Sequence, residues 1–352
     1  MAARVRARGL AGRATREGGA LMDALLTRAW SFVDTERPHA AWPVTLLPGS
    51  LDEPLLLTAE GAMSNVCTHR GACLLDAPTD ACTIRCPYHG RRFRLDGAIS
   101  AAPGFEALPD EPLPGVASAA LGPMRFASLD PAASFDDHLA PVRERLAFFP
   151  WETLAHDPAS DRAFTLEAPW TLWCENYLEG FHIPYVHPSL ARALDLARYS
   201  VEVFDRCALQ IGDASEGEVA FALPPAHPDA DRRVGGFYLF VWPLTAINLY
   251  PWGVSLNAVQ PLGPDRTRVV YRAYVARPEL RERGAGAGLD DVEAEDDAIV
   301  ERAAHGVRSR LYRQGGLSPT HEAAVAWFQD RLYRCSQEAA PPASRSGSSE
   351  DR

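Results

Sequence analysis

The spacing of apolar positions changes several times along this chain, and those changes divide it into sections. From Leu21 the segment LMDALLTRAW places apolar residues at helical intervals, which predicts a short helix within residues 21–41. Residues 42–129 break into short apolar runs, among them VTLLPG, EPLLLTAEG, SNVCTHRG, TIRCPYHG and RFRLDG, each closed by Gly. Turns at such close intervals predict a small all-β module. Residues 130–163, with several Pro and Asp, read as a connector. A helix is predicted around residues 172–183. It is followed by GGFYLFVWPLTAINLYPWGVSLNAVQPLG, which reads as two or three strands, and by RTRVVYRAYVARP, which reads as another. Residues 290–313 and the segment HEAAVAWFQDRLYR return to a helical pattern. Residues 164–335 thus read as an α+β unit with helices over an antiparallel sheet. The Arg-rich residues 1–20 and the apolar-poor residues 336–352 read as disordered tails.

Charge narrows the partners. The formal net charge is −11, which argues against nucleic acid, whose backbone needs a basic footprint. No run of about 18 apolar residues predicts a membrane span. All 35 basic residues are Arg, so Schiff-base and Lys general-base chemistry have no residue to use. Seven cysteines, an odd number, read as a reduced chain in the cytoplasm.

Two of those cysteines stand in paired short motifs. Cys67 precedes His69 by two positions, sixteen residues follow, and Cys86 then precedes His89 by three. Two such loops can bind zinc or a Rieske cluster. Each loop offers one thiolate and one imidazole, so both thiolates can meet one iron and both imidazoles the other. Zinc sites more often group their cysteines as CxxC. Gly71 and Gly90 suit tight turns just after the loops.

CTHRGA and CPYHGRRFRLDG resemble the Rieske motif of ring-hydroxylating oxygenase α subunits. The resemblance implies a [2Fe–2S] cluster with Cys67 and Cys86 on one iron and His69 and His89 on the other. Ala72 and Tyr88 stand where respiratory Rieske proteins carry a disulfide, and Cys73, one position off, reads as a packing residue. Two His ligands place such a cluster at about −150 to +300 mV.

A second constellation begins at Trp170. Glu179 and His182 lie three apart, as on one helical face, and Pro184 reads as a break that swings His187 back toward His182. Two imidazoles and one carboxylate form the facial triad that holds mononuclear Fe(II) and leaves positions open for O₂ and substrate. The carboxylate has to come from far along the chain. Residues 290–301 offer Asp290, Asp291, Glu293, Glu295, Asp296, Asp297 and Glu301; Val292, Ile299, Ala303 and Val307 suggest an inward stripe, and Asp296 falls on it, with Glu295 and Asp297 at its flanks. A buried carboxylate is costly without a cation, which iron would supply. EDDAIVERAAHG also resembles the acidic helix of related oxygenases, and Asp296 matches its ligand; Asp297 remains the rival. His305 stands where the family pattern suggests Gln, a departure that bears on the iron's surroundings or the pocket.

The resemblance runs from about Trp30 to Tyr333, closest to choline-monooxygenase-like and phenylpropionate-dioxygenase-like α subunits. It implies an all-β Rieske domain, then a catalytic domain of the helix-grip type. It further implies an oxygenase fed by an NAD(P)H-dependent reductase or ferredoxin, acting on a small aromatic or quaternary-ammonium substrate. A head-to-tail trimer would bring one subunit's cluster to its neighbour's iron, with Glu179, where many relatives have Asp, bridging two histidines. Phe181, Tyr185, Phe237, Tyr238, Phe240, Trp242, Tyr250 and Trp252 are candidates for the pocket wall, though rings on strands are more often plain core. The alternative is an electron carrier with a vestigial second site.

Overall fold

The computed structural model describes residues 16–338. Residues 1–15 and 339–352, most of both expected tails, lie outside them. Helix α1 (Arg16–Arg28) starts five residues before the predicted helix. Strand β1 (Ser31–Thr35) follows, inside the stretch expected to be helical. Its residues SFVDT include Val and Thr, and it pairs with a strand about 90 residues away, which local spacing cannot reveal.

Strands β2 (Ala41–Leu46), β3 (Glu53–Thr58) and β4 (Gly61–Ser64) form a meander. The short β5 (Thr83–Arg85), β6 (Arg92–Arg94) and β7 (Ile99–Ala101) make a separate three-stranded sheet. Strands β8 (Gly115–Leu121) and β9 (Met124–Ser128) then close the larger sheet in the order β1-β9-β8-β4-β3-β2. The observed all-β unit thus includes β1, ahead of the boundary expected at residue 42.

The expected connector is not structureless. It holds α2 (Phe135–Leu146), whose Ser134 and Asp137 form a capping box, then β10 (Ala155–His156) and the start of β11 (Arg162–Leu166). Helices α3 (Trp170–Tyr177), α4 (Ile183–Val186) and α5 (Pro188–Ala193) come next. Strands β12 (Leu194–Val203), β13 (Cys207–Ala214), β14 (Val234–Val241), β15 (Thr245–Tyr250), β16 (Gly253–Gly263) and β17 (Arg266–Val275) follow. They form an antiparallel sheet in sequence order, with β10 and β11 both pairing against β17. Helices α6 (Leu289–Val307) and α7 (Ala323–Glu338) end the described chain.

Every residue of β13, β14 and β15 is buried, as in a sheet covered on both faces. One face carries Leu209, Phe237, Leu239, Ile247 and Leu256, which pack with α2 and with Phe32 and Phe126 of the first sheet. The other carries Ala208, Phe240, Ala246 and Val269, which pack with α3, α6 and α7. That second face is where helices grip the sheet and leave room for a site. Phe328 of α7 is fully buried there against Trp170, Phe240 and Trp242. We expect Phe328→Ala to destabilise the fold by about 3–5 kcal/mol, read as a lowered denaturant midpoint. An unchanged midpoint would mean that α7 is not anchored through this ring. No helix among the described residues is long and apolar enough to cross a membrane.

Candidate metal centres

The two motif loops fold alike. The Cys67 N–H donates to the Ala72 carbonyl at 2.8 Å and the Gly71 N–H returns to the Cys67 carbonyl at 3.0 Å. The second loop repeats this with Cys86 to Arg91 at 2.8 Å and Gly90 to Cys86 at 3.1 Å. Gly71 and Gly90 have φ of +73° and +75°, left-handed values that a Cβ would strain, as their spacing suggested. The loops face each other. Cys67 and Cys86 are buried with their thiols in contact, and the His69 and His89 rings lie 4.7 Å apart.

Electrostatics prepare Cys86 and His69 for metal, whereas burial raises the Cys67 thiol. Burial raises the Cys86 thiol, but the backbone N–H groups of Tyr88 and His89 and the Cys67 thiol outweigh it, so its proton is held less tightly than usual. Desolvation and then Arg91 lower the proton affinity of His69, favouring the neutral imidazole that a metal requires. His69 Nδ1 is buried with no hydrogen-bond partner among the described residues. A ring nitrogen left so, beside a second imidazole and two thiols, fits a Rieske [2Fe–2S] cluster. Arg91, which the sequence reading did not single out, is almost wholly buried beneath the loops, paired with Glu111 and set 4.9 Å from the Phe105 ring. Cys73 is exposed, so it is not the packing residue expected.

The second constellation is built on a break between helices, not on one helical face. Helix α3 stops at Tyr177, and Glu179, Gly180 and Phe181 make a turn. A Cβ at Gly180 would come within 2.7 Å of the Tyr199 ring, so the turn needs glycine. The Glu179 carboxylate accepts the backbone N–H groups of Phe181 and, at 3.0 Å, of His182. Pro184 starts α4 instead of breaking a helix, since the first turn needs no N–H from it.

The turn places His182 Nδ1 2.6 Å from Glu179 Oε1, and His187 Nδ1 lies 2.8 Å from Glu295 Oε2. With Nδ1 held by a carboxylate, each ring turns its Nε2 outward. Those two Nε2 atoms are 3.1 Å apart, and Asp296 Oδ1 lies 3.0 Å from the His187 atom and 3.5 Å from the His182 atom. One ligand atom from each of the three residues falls within 4.8 Å of the others. Asn176 Nδ2 steadies Asp296 Oδ1 at 2.5 Å. Burial opposes protonation of His182, but Asp296 and Glu179 overcome it and raise the ring to about 9. Burial likewise opposes ionisation of Asp296, while His182 and His187 bring it down to about 2. Two imidazoles around a firmly ionised carboxylate fit a divalent iron, which would replace protons there.

Asp297 does not join them; its Oδ1 is buried with no partner among the described residues. The inward stripe of α6 is Glu293, Val300 and Ala304, one residue beyond the predicted positions, and Ala303 is exposed. His305 is also exposed, so it does not face the site. Among the ring candidates, Tyr238, Tyr250 and Trp252 pack with Ile183 beside the two histidines. Phe237, Phe240 and Trp242 belong to the core, whereas Phe181 and Tyr185 are exposed. Read from sequence, Glu295 had no role beyond a flank of the predicted stripe and Asn176 had none, because both act on partners far along the chain.

We expect Glu295→Ala to lower iron affinity by about 10–100-fold, because His187 loses the group fixing its tautomer. Metal titration by calorimetry reads this directly, and unchanged affinity would show that the 2.8 Å contact does not matter to the metal.

Residues 50–112 match the Rieske [2Fe–2S] domain, and residues 152–338 match the ring hydroxylating alpha subunit (catalytic domain). A chloroplastic choline monooxygenase of Beta vulgaris is 29% identical over 295 residues, 78% of this chain and 64% of that protein. The chain therefore aligns with slightly less than two thirds of that relative's length. The carnitine monooxygenase oxygenase subunit of Escherichia coli (strain K12) is 29% identical over 272 residues, 72% of this chain and 70% of the relative. The fold is shared with a solved quaternary ammonium Rieske monooxygenase, at TM-score 0.72 and 23% identity over 90% of this chain and 92% of that one. Naphthalene 1,2-dioxygenase from Rhodococcus sp. shares it at TM-score 0.66 and 18% identity, over 92% of each chain. Domain order, fold and the match over more than half its length agree: this chain belongs to the family of ring-hydroxylating α subunits, Rieske non-haem iron oxygenases.

Proposed function

We propose that this chain is the terminal oxygenase of a short electron-transfer system and oxidises a small quaternary ammonium compound. The carrying observation is the convergence of His182 Nε2, His187 Nε2 and Asp296 Oδ1 in a chain that also holds a Rieske-type donor set. Cys67, His69, Cys86 and His89 would hold the cluster, and His182, His187 and Asp296 the iron. When bound, the cluster supplies single electrons and the iron activates O₂ for attack on a substrate carbon.

The protein's own residues then have defined tasks. Glu179 and Glu295 keep the two Nδ1 positions engaged and both Nε2 atoms facing the metal. Asn176 holds the Asp296 carboxylate in place. Ile183, Tyr238, Tyr250 and Trp252 form a largely dry wall beside these groups, suited to placing an organic substrate and keeping water out.

The substrate class is favoured by those rings and by the choline and carnitine relatives. An aromatic substrate is the second reading, consistent with the naphthalene dioxygenase fold. A head-to-tail trimer and an NAD(P)H-dependent reductase or ferredoxin donor are part of the proposal. The exposed Tyr88 beside His89 and the 80% exposed Tyr185 near the iron-site histidines offer the two faces such a ring would cover. A reducing cytoplasm suits seven unpaired cysteines. The electron-carrier alternative is disfavoured by the complete triad.

The test is substrate-dependent O₂ uptake with a surrogate reductase, across quaternary ammonium and aromatic compounds. Uptake with a trimethylammonium compound is expected. Uptake with aromatic compounds alone would replace the substrate class, and none at all with both metal sites filled would favour the electron carrier.

A further inference from the structure

This inference rests on the quaternary-ammonium reading and assigns a residue of the same site a role. The inward face of α6 carries Leu289, Glu293, Asp296 with Asp297, Val300 and Ala304 in turn. Leu289 packs against the cluster of Ile183, Tyr238, Tyr250 and Trp252, while Val300 and Ala304 pack in the core with Trp173 and Tyr271. Glu293 lies between these two groups and next to the metal triad along the helix. It is only 8% exposed, and its carboxyl makes no hydrogen bond or ion pair among the described residues. Arg162, the basic group acting on it, is engaged with Asp290 at 3.4 Å.

Tyr271 and Tyr250 lie close enough to Glu293 to feel its charge. The Tyr271 hydroxyl, on a side chain 3% exposed, lies against the Trp173 indole, and it feels the carboxyls of Asp297, Glu293 and Asp296. The Tyr238 hydroxyl, on a residue 8% exposed that packs with Tyr250, has no hydrogen-bond partner among the described residues. Tyr250 is close enough to Glu293 for that carboxyl to raise its own hydroxyl. The rings of Tyr250 and Trp252 stack at 5.5 Å, and Tyr238 meets Tyr250 edge-on at 6.0 Å. One guanidinium, that of Arg281, already lies 5.2 Å from the Trp252 ring centroid.

We infer that Glu293 is the counter-charge for the cationic head of the substrate, which it holds against the rings of Tyr238 and Tyr250. A quaternary ammonium group donates no hydrogen bond, so only charge and aromatic faces can recognise it. A helix acid on solvated surface would be exposed and free to ionise. Instead, burial and then Asp290, Asp297 and Asp296 push the Glu293 carboxyl up to about 9.

The experiment uses the full-length, metal-loaded protein. Calorimetric dissociation constants are measured for choline, for carnitine and for the uncharged choline isostere with a tert-butyl group in place of trimethylammonium. With Glu293→Gln, the expected result is at least about tenfold weaker choline and carnitine binding, an isostere changed by less than about twofold, and unchanged iron content. Glu293→Asp is expected to restore most of the discrimination. Equal weakening of charged and uncharged ligands would show a merely structural role and overturn the inference. Undiminished choline and carnitine binding by Glu293→Gln would overturn the assignment of Glu293 while leaving the substrate class intact. A wild-type protein that binds aromatic compounds and neither cation would overturn the substrate class, and this inference with it.

Discussion

Asp296→Ala is expected to abolish oxygenation while leaving the Rieske EPR signal intact. Asp296 Oδ1 is the atom that meets both histidines, at 3.0 and 3.5 Å, and it is the anionic member of the three. Without it two neutral imidazoles face a divalent cation with no charge to balance it. Iron affinity should fall by more than the about 10–100-fold typical of losing a group that only supports a ligand. The cluster loops lie in another part of the chain and share none of these contacts, so sulfide and two irons should remain. Asp297→Ala is the matched control. Its Oδ1 has no partner among the described residues, and iron should stay bound in that variant. Iron kept by Asp296→Ala and lost by Asp297→Ala would move the ligand one residue along the helix.

Glu179→Gln is expected to reduce substrate-coupled O₂ consumption by about 10–100-fold or more, with both metal centres still filled. The carboxylate does two things that a bare helix position would not: it accepts two backbone N–H groups of the turn, and it holds His182 Nδ1 at 2.6 Å. Glu179→Ala would remove the turn's support as well and loosen iron, which blurs its meaning. Gln keeps a carbonyl acceptor for the turn and removes the charge. Single-turnover reduction of the iron site separates the outcomes. Slow electron arrival at a filled site supports a bridging role in the proposed assembly, and normal coupled turnover with Gln would reduce Glu179 to a brace for the turn.

What the sequence disclosed follows from distance along the chain. The candidate Cys and His pairs of the cluster loops were legible because each Cys and His lies within three residues of the other, and glycines mark the turns, although Cys73 was misjudged and Arg91 missed. His182 and His187 were legible for the same reason, although the helix assumed around them was not. Its true end at Tyr177 is fixed by the Glu179 turn and by the approach of Gly180 to Tyr199, a contact with a later strand. The stripe on α6 was misjudged by one residue, a rotation of about 100°. Hydropathy counts Glu293 as surface, whereas the fold buries it on the inward face of α6. Glu295, Asn176 and Arg91 gained roles only from partners 20 to 120 residues away. The pairing of β1 with β9 lay beyond any local pattern for the same reason.

The central claim, two iron centres in one chain, is most directly tested by iron and acid-labile sulfide analysis of anaerobically purified protein, joined to EPR of the reduced form. About three irons to two sulfides per chain, with a Rieske signal, is the predicted result. About two irons to two sulfides, unchanged after Fe(II) is added back, would contradict it and leave an electron carrier.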